Sequence, residues 1–442
     1  MIDSLFIANR GEIAVRIIRT ARELGIRTVV GYSTEDANSL GVKLADDTVC
    51  LGPAEAIASY MNVRNIIAGA LLKGCQAVHP GVGFLAENDD FAERVIENGL
   101  IFIGPRPETL RALGNKIRAR QLATELSIPI IPGSEGSIDT LDEAIEVGRE
   151  IGYPILLKAS AGGGGKGIRI VRREEELKEA MQFVSKEAMA AFGDGTLFVE
   201  RFLENPRHVE VQLVADEKGN VLVFGERDCT IQINHQKIVE EQPATCIERE
   251  VKKRIEADAV KLLKELHFVG AGTVEFLYSD NEYYFMEVNP RIQVEHPVTE
   301  MVVDKDLIAL QIMAAGGKNL SEIFPSDGEE LMEKRYALEC RVNALKPGQI
   351  TEFIAPGGFG VRVDTHIYPG YFVSPYYDAL LLKLITFAES RGKVIERMKR
   401  ALEETFIGGI ETNMELLKKI ITNSEFRSNS YGDKLLKILK EG

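Results

Sequence analysis

The sequence has no tryptophan and only five cysteines in 442 residues. Cys50, Cys75, Cys229, Cys246 and Cys340 are odd in number, and none forms a CxxC pair. That excludes a disulfide scaffold and fits reduced, mostly buried thiols in a cytoplasmic protein. No apolar run reaches the ~18 residues of a membrane span. The opening MIDSLFIANRGEIAVRII carries Asp3, Arg10 and Glu12, unlike a signal peptide. Positive charge is in deficit, with 53 Lys and Arg against 67 Asp and Glu and a net charge of −14. This argues against nucleic acid or an anionic membrane as main partner. It leaves room for an anionic substrate, because a local cluster of lysine, arginine and metal can outweigh a distant field. No internal repeat and no low-complexity segment stands out.

Two phosphate-loop patterns are missing as well. The first strand–turn–helix, LFIAN-RGE-IAVRIIRTARELG, has the single glycine Gly11, so the dinucleotide fingerprint is absent there. In KASAGGGGKGIRIVR, Ser160 stands where a Walker loop needs glycine, and Gly167 stands where it needs Ser or Thr. Gly162, Gly164 and Gly167 meet GxGxxG in form, but IRIVR after them reads as a strand rather than a helix. The remaining reading is a strand–glycine–strand flap that closes over phosphates with backbone N–H groups, with Lys158 and Lys166 beside it.

The length calls for two or three domains, and 45% hydrophobic with 27% charged residues places the chain among soluble globular proteins. Residues 1–110 alternate strand and helix and read as a parallel α/β unit with helices on both faces. His79, in HPGVGFLAEN, reads first as a hydrogen-bonded loop histidine and second as a site residue. IPIIPG (128–133) and FPSDGEE (324–330) are candidate boundaries. Between them lie the flap, a helix over 173–191, β-rich stretches at 196–216 and 220–244, and a helix near 248–266. His235 and Lys237 fall on one face of an extended segment. After 334 the pattern is β-rich with Gly and Pro turns.

The richest stretch is YYFMEVNPRIQVEHP (283–297). Glu287, Asn289, Arg291, Gln293 and Glu295 occupy every second position, with Val288, Pro290, Ile292 and Val294 between. An extended backbone would put the five polar groups on one face and rest the other on a core. GTVEFLY (272–278) and EYYFMEV (282–288) read as a hairpin. A three-residue loop pairs Glu275 with Glu287, whereas a two-residue loop pairs Glu275 with Met286 and points it away. Converging carboxylates need a cation between them, and two glutamates with an asparagine suit Mg²⁺ held jointly with phosphates.

Taken together these segments resemble the biotin carboxylase family of the ATP-grasp superfamily. The resemblance rests on IANRGEIA, HPGVGFLAEN, KASAGGGGKG, ENPRHVEVQ, HQKIVEE, NPRIQVEHPVTE, ECRVNA and APGGFGVR, which run the length of the chain. It implies an N-terminal α/β domain (1–114), an ATP-grasp domain (115–323) with a mobile lid over about 130–203, and a mixed β-rich C-terminal domain (334–442). It also implies ATP-dependent carboxylation of biotin by bicarbonate through carboxyphosphate. Biotin would be borne by a separate carrier protein, with a carboxyltransferase as further partner, homodimers as the assembly, and ATP with two Mg²⁺ or Mn²⁺ ions as cofactors.

Matched by motif, Lys116, Lys158, Gly164, Gly165, His208, His235 and Lys237 would contact the nucleotide, and Glu200, Arg201, Phe202 and Leu203 would line the adenine. Glu275, Glu287 and Asn289 would hold metal, the two glutamates also touching ATP. Lys237, Arg291, Gln293 and Val294 would cradle bicarbonate, Glu295 would be its base, and Arg341 would face biotin. Two departures stand out. ALKPGQI after Arg341 is shorter than the family's loop, and SNSYGDKLLKILKEG lacks the expected histidine, so no nucleotide contact carries over to the tail. A carboxylate–amine ligase or carbamoyl phosphate enzyme would share the ATP site. Arg341 and RIQVEHP favour biotin.

Overall fold

A computed structural model gives the architecture and describes residues 2–134, 136–159, 167–234, 236–323 and 335–435, apart from the side chains of Lys116, Ile117, Ala191 and Phe192. The N-terminal alternation folds as β1 (Ser4–Ile7), β2 (Arg27–Ser33), β3 (Asp47–Gly52), β4 (Ala77–His79) and β5 (Ile101–Phe102). They make a parallel sheet in the order β3-β2-β1-β4-β5. Leu5 and Ile7 meet Ile13 and Ile17 of the helix Gly11–Glu23, while Phe6 meets Ile66 and Phe91 on the other side. The period-2 strand and the period-3.6 helix thus place helices on both faces, as expected. His79 closes β4, fully buried. Its Nδ1 accepts the Gly81 N–H at 3.0 Å, and burial pulls its pKa down to about 3. It is a structural histidine.

The flap strands are β6 (Ile155–Ala159) and β7 (Ile168–Val171), joined by β8 (Leu197–Arg201) in an antiparallel sheet ordered β7-β6-β8. Ile155, Leu157 and Val199 pack on Val184 and Ala188 of the helix Leu177–Phe192, a core of their own. A further helix, Leu141–Ile151, opens on a reciprocal capping box between Thr140 and Glu143. Gly164 and Gly165 lie outside the described residues.

The rest of the chain builds one large sheet and two small two-stranded ones. The strands are β9 (Arg207–Ala215), β10 (Val221–Ile233), β11 (Gln236–Gln242), β12 (Gly270–Ser279), β13 (Glu282–Asn289) and β14 (Tyr336–Asn343). The C-terminal segment continues with β15 (Gly348–Gln349), β16 (Glu352–Ile354), β17 (Val361–Thr365), β18 (Phe372–Val373), β19 (Leu380–Ala388) and β20 (Phe406–Gly408). The small sheets pair β15 with β18 and β16 with β20. The order in the large sheet is β13-β12-β9-β10-β11-β14-β19-β17, so β11 and β14 pair directly across the segment read as a boundary. Among the described residues no helix is long and apolar enough to cross a membrane.

The hairpin β12–β13 resolves the two loop readings in an unexpected way. Asp280 and Asn281 form a two-residue turn with φ of 53° and 62°, and Ser279 pairs with Glu282. That register alone would set Glu275 against Met286. A bulge intervenes: Phe276 pairs with Phe285, but Glu275 pairs with Glu287, leaving Met286 as the extra residue. The bulge resets the alternation, so Phe285 stays in the core while Glu287 and Asn289 turn to the opposite face. The single extended strand expected over 283–297 is not formed. β13 ends at Asn289, residues 290–295 are irregular, and a helix spans His296–Val303. Pro290 gives the physical reason for the break, since it has no N–H with which to continue the ladder.

Candidate active site

A cavity of about 1370 Å³ lies between the lid, the large sheet and the N-terminal unit. At one end it is lined by Lys158, Glu200, Arg201, Phe202, Leu203 and His208. Glu200 is buried and fastened by Lys158 of β6 and by Arg120 of the helix Lys116–Glu125. The two ends of the lid are joined by Arg201 N–H to Pro132 O (2.8 Å), and the connector before it is anchored to β13 by Phe285 N–H to Pro129 O (2.7 Å). Lys116 begins its helix, but its side chain, like His235, lies outside the described residues.

The middle of the cavity is organised by Lys237 on β11. Its Nζ donates to Glu210 at 2.5 Å, Glu295 at 2.8 Å and Glu275 at 2.9 Å. Burial pulls the ammonium down, but the three carboxylates outweigh it and hold it charged. Glu275 feels the same field. Burial raises it, and Lys237 with His208 draws it below the usual carboxylate range. His208 Nε2 lies 2.6 Å from Glu275, and Gln232 donates to its Nδ1 at 3.1 Å, which fixes the Nε2–H tautomer. Asn289 and Gln293 donate to Glu275 at 2.8 and 3.1 Å. Glu287 stands opposite Glu275 on the hairpin and lines the cavity.

The residues after β13 reach this centre by a turn rather than along a strand face. Arg291 donates to Glu87 at 2.6 Å and to Asn289 at 3.3 Å, joining the hairpin to the HPGVGFLAEN segment. It does not pair with Glu295. Val294 lines the cavity, and its carbonyl accepts from Lys383 at 2.9 Å. Glu295 is fully buried between Lys237 and Arg341, which donates to it at 2.9 Å. Burial raises Glu295, but Lys237, Arg341 and Arg227 hold it well below the ordinary range. Arg341 sits on β14 in the cavity wall. The short loop after it leaves that strand pinned, with Asn413 donating to the Arg341 carbonyl at 3.0 Å.

Several residues here were not foreseen. Glu210 is fully buried and accepts from Arg227 at 2.6 Å, while Arg227 also donates to Gln212 (2.7 Å) and Thr299 (2.8 Å). His208, Glu210 and Gln212 alternate along β9, the same polar period that marked the hairpin, and this signal was available in ENPRHVEVQ. Asp433 also lines the cavity. The tail is locked beside the Leu203–His208 end of the cavity by Arg207, which donates to the Tyr431 carbonyl and to Asn429 and lies over the Tyr431 ring. The tail therefore contributes to this wall although it lacks the expected histidine.

The donor set suits a hard cation. Glu275, Glu287 and Asn289 offer oxygens at the end of one hairpin, facing the cavity. His208, Glu210 and Glu275 also approach closely enough to share an ion, but Arg227 and Lys237 already occupy Glu210.

Residues 1–110 match the family model described as biotin carboxylase, N-terminal domain, and residues 334–437 match biotin carboxylase C-terminal domain. Residues 115–323 match carbamoyl-phosphate synthase L chain, ATP binding domain. The chain is 48% identical to biotin carboxylase 1 of Bacillus subtilis over 446 aligned residues, covering 99% of this chain and 98% of that one. A crystal structure of the Campylobacter jejuni biotin carboxylase–β,γ-ATP complex superposes with a TM-score of 0.93 at 41% identity, covering 99% of both chains. The biotin carboxylase domain dimer of Hydrogenobacter thermophilus 2-oxoglutarate carboxylase, with MgADP, ADP and bicarbonate, gives 0.91 at 40% identity over 100% of this chain and 98% of that one. Along nearly its whole length, and at the level of the fold as well as the residues, this chain belongs to the biotin carboxylase family.

Proposed function

We propose that this chain catalyses the ATP-dependent carboxylation of biotin by bicarbonate, yielding carboxybiotin, ADP and phosphate. The γ-phosphoryl group passes to a bicarbonate oxygen, giving carboxyphosphate. That intermediate breaks down to CO₂ and phosphate, and the biotin ureido nitrogen takes the CO₂ as it gives up its proton to the released phosphate. The observation that carries the reading is that Lys237 and Arg341 line one cavity wall and both donate to Glu295, buried directly behind them, next to Glu275 and Asn289.

Each residue has a task in this scheme. Joining two anions demands fixed positive charge and alignment. Lys158 and His208 flank the nucleotide end, with Glu200–Leu203 along the adenine. The backbone around Gly164 and Gly165, with Lys116 and His235, would complete the phosphate contacts. Lys237, Arg291, Gln293 and the Val294 backbone would receive bicarbonate. Glu295 would take its proton, and Arg341 would stabilise the enolate-like ureido oxygen as an oxyanion donor does. Glu275, Glu287 and Asn289 would hold Mg²⁺ or Mn²⁺, which supplies charge against the triphosphate when bound. Lid closure would keep water from carboxyphosphate.

The chain has no Met-Lys-Met-like hairpin. Its only Met-Lys pair, Met398-Lys399, lies on the helix Arg391–Glu404. By the family resemblance we assign biotin to a carrier protein acting in trans, with a carboxyltransferase as second partner, a homodimer as the assembly and the cytoplasm as the compartment. The test is ADP release by the purified chain with MgATP and bicarbonate. Free biotin should accelerate it, and a carrier protein should acquire labelled carboxylate. ADP release indifferent to biotin would reject the reading.

A further inference from the structure

Arg341 is gripped from two sides. Besides its bond to Glu295, its Nε lies 2.6 Å from Glu240 of β11. Glu240 is fully buried, and directly across the β11–β14 ladder stands Glu339, also fully buried. Directly opposed side chains on neighbouring strands share a face, with Cβ atoms about 5 Å apart. No oxygen of Glu339 or Glu240 has a hydrogen-bond partner among the described residues, and Glu240 meets Arg341 Nε as an ion pair. The charged groups facing Glu339 are Lys383, Glu240, Arg341 and Glu295. Lys383 is already engaged by Glu12 at 3.0 Å and by the Val294 carbonyl, and Arg341 by Glu240 and Glu295. Two ionised carboxylates side by side, neither with a hydrogen-bond donor and with one cation ion-paired to only one of them, would be very costly at such burial.

We propose that Glu240 and Glu339 share one proton and act together as a positioning pair for Arg341. Glu339 carries the proton and offers it to Glu240. Glu240 remains the anion that fixes the Nε edge of the guanidinium, leaving the rest of the fork for the acceptor. Burial raises both carboxyls, Glu240 to about 7 and Glu339 well above the usual carboxylate range, in keeping with a pair that titrates as a unit. The proposal rests on the reading of Arg341 as the cation that faces biotin.

Two measurements on the full-length chain test it. The first is the infrared difference spectrum of wild type minus Glu339→Gln near neutral pH. It should show the C=O stretch of a protonated carboxyl, shifted when glutamate carries ¹³C in its side chain. This readout needs no turnover, so it stands or falls apart from the assigned activity. The second is kinetic. Glutamine mimics a neutral acid, so Glu339→Gln should keep biotin-stimulated ADP release within about 3-fold. Glu240→Gln removes the anion and should lower it by ~10–100-fold, with the KM for ATP little changed. No carboxyl band in wild type, or a Glu339→Gln enzyme as impaired as Glu240→Gln, would overturn the proposal. So would a Glu339→Gln chain that fails to fold, since an amide replaces a protonated acid atom for atom.

Discussion

The lid and the large sheet treat charge in opposite ways. In the lid, ion pairs such as Arg149–Glu174 and Arg173–Glu176 lie on the surface, where water screens them. Beneath them is a small, separate apolar core. In the large sheet, Lys237, Glu210, Arg227, Glu295, Arg341 and Glu240 are all buried or nearly so and bonded in series. The lid's surface pairs are hydrated whatever its position, although its buried Glu200 is held by Arg120 of the body. The large sheet cannot lose one of its charges without stranding another. Closure and preorganisation are thus assigned to different layers of the molecule.

The sharpest way to break this contrast is Lys237→Met. Three buried carboxylates would lose their common cation, and stability in urea should fall by about 3–5 kcal/mol, with turnover abolished. A variant as stable as wild type would mean that the carboxylates are not ionised together.

Glu295→Gln is milder, since shape is kept. Bicarbonate-dependent, biotin-stimulated ADP release should drop by about 10²–10⁴-fold, the range of a positioned general base, with MgATP affinity nearly unchanged. Glu287→Gln should instead weaken metal-dependent nucleotide binding along with turnover, measured by titration calorimetry. A Glu295→Gln enzyme that keeps more than about a tenth of the rate would remove this residue from the chemistry.

Acid separates the two regions next. His79 and His366 are buried, and burial first, with Arg10 adding for His366, lowers both to about 3. Unfolded histidine titrates near ~6.5, so this stability is complete above that value and is lost as pH falls toward the folded pKa. At about pH 5 each histidine should cost about 2 kcal/mol in urea unfolding. Residues 130–203 contain no histidine, so the lid core should not share this sensitivity. Equal acid lability, by hydrogen exchange of β6–β8 against β4 and β17 beside these histidines, would dissolve the distinction.

The smallest expected effect is on the lid surface. Arg149→Ala should leave the melting temperature unchanged, while MgATP should slow amide exchange in β6, β7 and β8 more than in β9–β12. Uniform protection would argue against a moving lid.

Much of this division was legible in the chain. The parallel N-terminal unit follows from strand and helix periods, and the flap strands from apolar runs flanking the glycines. The pairing of Glu275 with Glu287 was a correct outcome of an incorrect loop length, because the sequence does not announce that Met286 will bulge. The alternation beyond Pro290 was misread as strand. Arg291, Gln293 and Glu295 converge through an irregular turn whose shape is set by contacts with Glu87, Thr273, Lys237 and Arg341. Such contacts come from distant parts of the chain and leave no local period. Glu210 did carry a period, with His208 and Gln212, but alternation on an interior strand looks the same whether its polar face meets a cavity or a partner; Arg227, between Gly225 and Cys229 on its face, carried none.

The pairing of β11 with β14 bears on how such enzymes can be recombined. A chimera joined between Ile323 and Tyr336 would follow the apparent boundary and yet bring together a ladder drawn from two parents, Val239 with Cys340, Glu240 with Glu339, Glu241 with Leu338 and Gln242 with Ala337. The unit of exchange is the sheet rather than the stretch between linkers. Grafting one relative's C-terminal portion onto another would therefore need β11 to travel with it, carrying Lys237 across the junction.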